Sequence, residues 1–182
     1  INEVPLETYL MCVCTSEMSA KSPVSYLESQ MIVARSWLLA HTEKKHDGFD
    51  ACNDDCCQRY QGITHLGEVL RQVSESTFGK VVTHDGKICD TRYSKCCGGV
   101  TEESIHVWPE TKEPYLASFP DSFELGTLPS LQEEKEMVAW VRQVPRCFCS
   151  PHFVPESELP QYLGKVDEPG SYFRWNQEYS AE

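Results

Sequence analysis

The sequence predicts an α+β fold, buried helices packed with small antiparallel β elements, on three observations. Apolar residues recur at helical steps through residues 4–18, and a stretch from Ser22 to about residue 41 is apolar on more than one helical side. Asp85-Gly86 then separates two alternating segments, a two-residue hairpin signal.

The first helix is read from Val4 to Met18, with Pro5 in its first turn, where a missing N–H costs no intrahelical bond. Leu6, Leu10 and Val13, joined by Tyr9, form its apolar face. Glu17 continues that face, four residues after Val13 and seven after Leu10. A carboxylate on a buried face has a partner or a job, because burying it alone is costly. Burial also raises its pKa, the property a general acid needs at neutral pH. A solvent-exposed Glu past a frayed helix end is the other reading of the same spacing.

The second helix takes Ser22 as N-cap and Pro23 as first residue, and runs through Leu27, Met31, Arg35 and Leu38 to about His41 or Lys45. Arg35 stands among apolar residues and calls for an anion, either Glu17 or an anionic ligand, unless it snorkels to the surface. Residues 46–62 are a polar loop. Gly67 to Thr77 read as a short amphipathic helix with Val69, Leu70 and Val73 inward. Lys80 to His84 and Lys87 to Tyr93 read as the hairpin strands, the second leading into Gly98-Gly99, where backbone can approach a ligand closely. Residues 101–123 are irregular. Pro129 or Ser130 opens a helix to about Val144, with Leu131, Val138, Trp140 and Val141 inward and Pro145 as its stop. Glu156 to Leu163 form a short helix and Tyr172 to Tyr179 a strand. With no repeats or linkers, residues 1–182 read as one domain.

Composition narrows the function. Among 182 residues, 40% are hydrophobic and 24% charged, ordinary for a globular protein. A net charge of −12 argues against a nucleic-acid backbone or an anionic membrane surface as partner. No apolar run approaches the roughly 18 residues of a spanning helix. The chain starts without Met and within a helix motif, so it reads as a fragment of a longer protein. Its ten cysteines permit disulfides by their even number, while their clustering favours metal binding or packing. Cys12, Cys14, Cys147 and Cys149 are read as packing residues or redox partners. A Cys/His hydrolase using His46, His84, His106 or His152 lacks any recognisable signature.

Five motifs occur in order: Val4-Pro-Leu-Glu-x-Tyr-Leu with Ser16-Glu-Met18; Gln30 with Ala34-Arg35; Cys52 with Cys57-Gln58-x-Tyr-x-Gly62; Tyr93-Ser94 with Gly98-Gly99-x-Thr101-Glu102; and Pro114-Tyr115-Leu116. Together they resemble the SpoIID/LytB family, named for stage II sporulation protein D, a peptidoglycan lytic transglycosylase, and for an amidase enhancer. The likeness covers residues 1 to about 120, with Phe173-Arg-Trp175 similar to a further family strand. Residues 125 to 165 have no counterpart and read as an insertion.

The resemblance implies a substrate groove between the helices and the β elements, in a protein of the cell envelope. There the MurNAc-GlcNAc β-1,4 bond of peptidoglycan glycan strands would be cleaved with a 1,6-anhydro end. Glu17 matches the family's catalytic Glu. Such a reaction suits one carboxyl group, because the sugar's own C6 hydroxyl replaces the second carboxylate of an ordinary glycosidase. Arg35, Gln58, Tyr93, Ser94 and Lys95 fall at groove positions. Gln58 and Tyr93 would bond the sugars, and Arg35 and Lys95 would hold a lactyl carboxylate or tune Glu17. Some members bind zinc, and His46, Cys52, Cys56 and Cys57 lie on those positions, with Cys56 where the family has His and the Cys52-to-Cys56 gap one residue shorter. One His with three thiolates suits a closed, structural zinc site; packing cysteines or a disulfide are the other reading. Ser19 stands in place of the usual Pro, and Cys96-Cys97 in place of serines. The alternative function is a non-catalytic glycan-binding module that enhances a cell-wall amidase.

Overall fold

Pro5 sits at the N-cap of α1 (Leu6–Glu17), and its carbonyl accepts the Tyr9 N–H at 3.0 Å, closing the first turn. The helix stops at Met18, whose extended backbone (φ −151°, ψ 167°) carries the chain away. The computed structural model describes residues 2–42, 45–54, 56–62, 66–108, 112–124, 130–163, 172–176 and 178–179. Its chain divides into two compact units, Ile1–Tyr93 with Pro160–Asp167, and Ser94–Leu159 with Glu168–Glu182.

In the first unit, α1, α2 (Val24–His41) and α3 (Glu68–Ser76) share one core. Leu10, Val13, Cys14 and Met18 come from α1 and its cap, Leu27, Met31 and Ala34 from α2, and Leu70 and Val73 from α3. Each fully buried Leu, Met or Val contributes roughly 1.5–3 kcal/mol of transfer free energy. The α2 start differs by one position from the sequence reading. Pro23 is the N-cap, and Ser22 Oγ instead donates to the Tyr162 carbonyl at 2.9 Å. Pro23 still serves, since its carbonyl accepts from Tyr26 and Leu27. On α3 the inward face is Leu70, Val73, Ser74 and Thr77, while Val69 is 41% exposed. Spacing explains this: steps of three and four from Leu70 pass over Val69.

The expected hairpin is present but short. β1 (Thr83–His84) pairs antiparallel with β2 (Lys87–Ile88), with Thr83 opposite Ile88 and His84 opposite Lys87. Asp85 and Gly86 have φ of 49° and 75°, the two positive values of a type I′ turn. The Cys89 N–H reaches the Val82 carbonyl, but beyond that Thr91 Oγ1 donates to the α2 carbonyl of Val33, so the ladder does not extend to Tyr93.

In the second unit, α4 (Ser104–Val107), a 3-10 turn (Pro114–Leu116) and α5 (Glu134–Arg142) are joined by loops, with an isolated antiparallel bridge between Val100 and Pro120. The helix α5 is shorter than expected and has no buried residue; Leu131 before it is 44% and Val141 52% exposed. α6 (Leu159–Leu163) agrees with the expected short helix. Among the described residues of 172–179 there is no strand, although Phe173 is buried. Among the described residues, no helix is long and apolar enough to cross a membrane.

Candidate functional site

The last turn of α1 and a short loop segment are stitched together by backbone donors. Gln61 N–H donates to Ser16 Oγ at 3.0 Å, and Arg59 N–H donates to Glu17 Oε1 at 3.2 Å. Ser16 anchors itself by donating to the Cys12 carbonyl at 2.7 Å. Glu17 is half-buried, with its carboxyl held at the helix end rather than sunk in the core. Beside Arg59, Gln58 is 4% exposed; its amide donates to the Ala34 carbonyl at 3.0 Å and its carbonyl oxygen accepts from Tyr9 Oη at 3.4 Å. Tyr9 in turn stacks on Tyr60 with ring centroids 5.4 Å apart.

Tyr93 completes this group. Burial pushes its phenol up from the ordinary range, the Glu17 charge adds to the rise, and hydrogen bonding from Gln58 and Gln30 pulls it back. The residue is 37% exposed and its phenol is neutral. The Tyr9 phenol is also raised, first by burial, then by Cys57, Cys52 and Tyr60, with Glu17 the smallest contribution. The Cys14 thiol, under the same helix turn, is pushed up to about 12 by burial and then by Glu17. Glu17, Gln58 and Tyr93 are thus brought into one electrostatic neighbourhood.

Arg35 is placed differently from its expected partner. It is 1% exposed, and its anion is Glu7, bound through Nη2–Oε2 at 2.7 Å and Nε–Oε1 at 3.0 Å. Its remaining donors go to the Lys80 carbonyl at 2.9 Å and Thr77 Oγ1 at 3.5 Å. Glu7 lies a full helix length before Glu17 on α1, so Arg35 ties α1 to α2 and α3 from the other end. Ser94 and Lys95 are exposed and belong to the second unit.

The four expected metal donors converge. Ligand atoms of His46, Cys52, Cys56 and Cys57 all lie within 4.8 Å of one another. His46 Nε2 is 3.1 Å from Cys57 Sγ, and Cys52 Sγ is 3.2 Å from Cys56 Sγ. The His46 ring stacks on Phe49 with centroids 4.6 Å apart, which fixes its plane. A backbone hydrogen bond from Asp54 lowers the Cys52 thiol, whereas burial pushes Cys57 up to about 11. One imidazole and three thiols are a donor set that zinc accepts as a closed tetrahedron.

Some site features were not legible beforehand. Tyr9 reads as part of an apolar stripe, and only its polar tip at the edge of that stripe hints at more. Backbone donors such as Arg59 N–H leave no sequence signal. Gln30 Nε2 is buried beside Tyr93 and has no partner in good hydrogen-bond geometry among the described residues.

Residues 1–84 match the model of a family described as Stage II sporulation protein, SpoIID. An uncharacterised protein of Brachyspira hyodysenteriae is 30% identical over 118 residues, 64% of this chain. The chain spans 32% of the length of that relative. No solved structure matches.

Proposed function

Because the chain belongs, through residues 1–84, to the SpoIID family of stage II sporulation proteins, whose role concerns the cell wall, we propose that it is a peptidoglycan lytic transglycosylase. The observation that carries this reading is the Glu17 carboxyl fixed at the end of α1 by Arg59 N–H, next to the neutral phenol of Tyr93 and the anchored amide of Gln58.

In the proposed reaction, protonated Glu17 gives its proton to the oxygen joining MurNAc C1 to the 4-position of GlcNAc. The C1–O bond breaks, and GlcNAc leaves with a free 4-hydroxyl. The Glu17 carboxylate then takes the proton of the MurNAc C6 hydroxyl as its oxygen bonds to C1. A 1,6-anhydro end results, no water is consumed, and Glu17 is again protonated. Tyr93 and Gln58 supply hydrogen bonds to sugar hydroxyls or acetamides at the bond being cut. Arg35 acts at a distance by holding α1 through Glu7.

The cluster of His46, Cys52, Cys56 and Cys57 would hold a structural zinc ion, and the ion would supply a fixed loop geometry rather than chemistry. That loop leads directly into Gln58 and Arg59. The expected place of action is the cell envelope, with glycan strands as partner and a cell-wall amidase as a second one.

Incubation with purified glycan strands is expected to release anhydro-disaccharide products, and Glu17→Gln is expected to abolish them. Equal turnover by Glu17→Gln overturns the mechanism. Strand binding without anhydro products, coupled to stimulation of an added amidase, replaces it with the enhancer module.

A further inference from the structure

Four cysteines of the second unit take no part in the proposed reaction; two of them converge with a carboxylate, and a third lies beside one of that pair. Cys97 Sγ lies 3.6 Å from Cys149 Sγ, and Cys147 Sγ lies 3.8 Å from Cys149 Sγ. Ligand atoms of Cys97, Asp121 and Cys149 are all within 4.8 Å of one another. Sulfurs bound to one zinc ion at about 2.3 Å sit about 3.8 Å apart on a tetrahedral edge, whereas a disulfide holds them at about 2 Å. The observed separations match the first case.

The surroundings are built for the arrangement. The Asp121 N–H donates to the Gly99 carbonyl at 2.9 Å, its carbonyl accepts from Phe148 N–H at 2.8 Å, and its Oδ2 accepts from Cys149 N–H at 3.0 Å. One residue thereby joins the turn carrying Cys97 to the loop carrying Cys147 and Cys149. Gly99 has φ of 112°, and a Cβ there would lie 3.2 Å from Trp140 and Pro145, so the turn needs glycine. Ser150 Oγ, fully buried, has no partner in good hydrogen-bond geometry among the described residues, and the Cys147 sulfur lies within its reach. A hydroxyl beside a sulfur is the outer-shell donor that a metal-bound thiolate uses.

We propose that Cys97, Cys147, Cys149 and Asp121 bind a thiophilic divalent cation, zinc by the chemistry of the donors, as a second metal site separate from the His46 cluster. It closes residues 97–99, 121 and 147–150 into one knot, and accounts for cysteine at position 97. Two of its ligands come from the segment that reads as an insertion, so the site gives that segment a structural purpose. The inference does not rest on the lytic activity.

The test uses the full chain carrying Cys52→Ser and Cys57→Ser, which disables the first cluster. About one zinc per chain is expected to remain. Exchange with Co2+ is expected to give thiolate-to-cobalt charge-transfer absorption in the near ultraviolet. Adding Cys149→Ser should remove both signals, and Cys149→His, which keeps a ligating nitrogen, should restore the metal. Absence of metal and of the cobalt band in the Cys52→Ser/Cys57→Ser protein overturns the proposal. So does a Cys97–Cys149 disulfide recovered from that protein in a non-reduced digest. Because the first cluster is removed throughout, its own occupancy does not affect either result.

Discussion

Arg35 shows how a single residue is governed by its burial. At 1% exposure its charge is tolerable only because Glu7 neutralises it and backbone and hydroxyl oxygens take the other donors. Removing one partner therefore leaves a buried charge uncompensated. Glu7→Ala is expected to cost about 3–5 kcal/mol, read as a fall in the urea midpoint, while Glu7→Leu combined with Arg35→Met should cost less than Glu7→Ala alone. A double variant that loses more than Glu7→Ala alone would mean that the unpaired Arg35 charge carries no burial cost. Tyr93 sits at the other extreme, half in water with a phenol kept neutral by burial and by Glu17. If it donates one hydrogen bond to the sugar during cleavage, Tyr93→Phe should lower kcat/KM by roughly tenfold with little change in stability. Anhydro-product release at sub-saturating strand concentration measures it, and an unchanged rate removes Tyr93 from the site.

At the scale of elements, two turns contrast. Gly86 completes an exposed hairpin with φ of 75° and open space where a Cβ would stand. Gly86→Ala then meets only backbone strain, about 1–2 kcal/mol. Gly99 adds steric conflict with Trp140 and Pro145 to a φ of 112°, so Gly99→Ala should cost clearly more than Gly86→Ala in the same thermal melt. The hairpin was legible because Asp-Gly needs no tertiary information: its left-handed dihedrals are a property of the dipeptide. The helices α1, α2 and α3 were legible for a similar reason, since three- and four-residue spacing survives without knowledge of partners. Strand length was not, because Thr91 leaves the ladder for a carbonyl on α2 that lies far off in sequence. Likewise Arg35 announced its need for an anion, yet Glu7 and Glu17 lie on the same helix and only packing decides between them. The His46 cluster was visible through family likeness, whereas Cys97, Asp121 and Cys149 come from segments whose meeting no local pattern encodes.

For the molecule as a whole, the question is which part of the proposed activity would depend on metal and which on the apolar core. The core of α1, α2 and α3 draws on burial alone, and none of its nine residues belongs to the His46 cluster. The loop of residues 46–62 is a different case: it is polar, and it holds α1 through hydrogen bonds to Ser16 and Glu17 and through the contacts of Gln58 and Tyr60 with Tyr9. A zinc ion across His46, Cys52, Cys56 and Cys57 would tie the entry of that loop and leave Gln58 only one residue away from a fixed ligand. Stripping metal with a strong chelator should therefore leave far-ultraviolet helix content nearly intact while lytic activity falls, up to roughly hundredfold for a misplacement near 1 Å. The fall should be incomplete, because Gln58 keeps its bond to the Ala34 carbonyl without any ion. Readdition of Zn2+ should restore activity in the parent but not in Cys57→Ser. If helix content and activity were lost together, the ion would be holding the core itself, and if neither changed, the cluster would be a set of thiols with no part in the site.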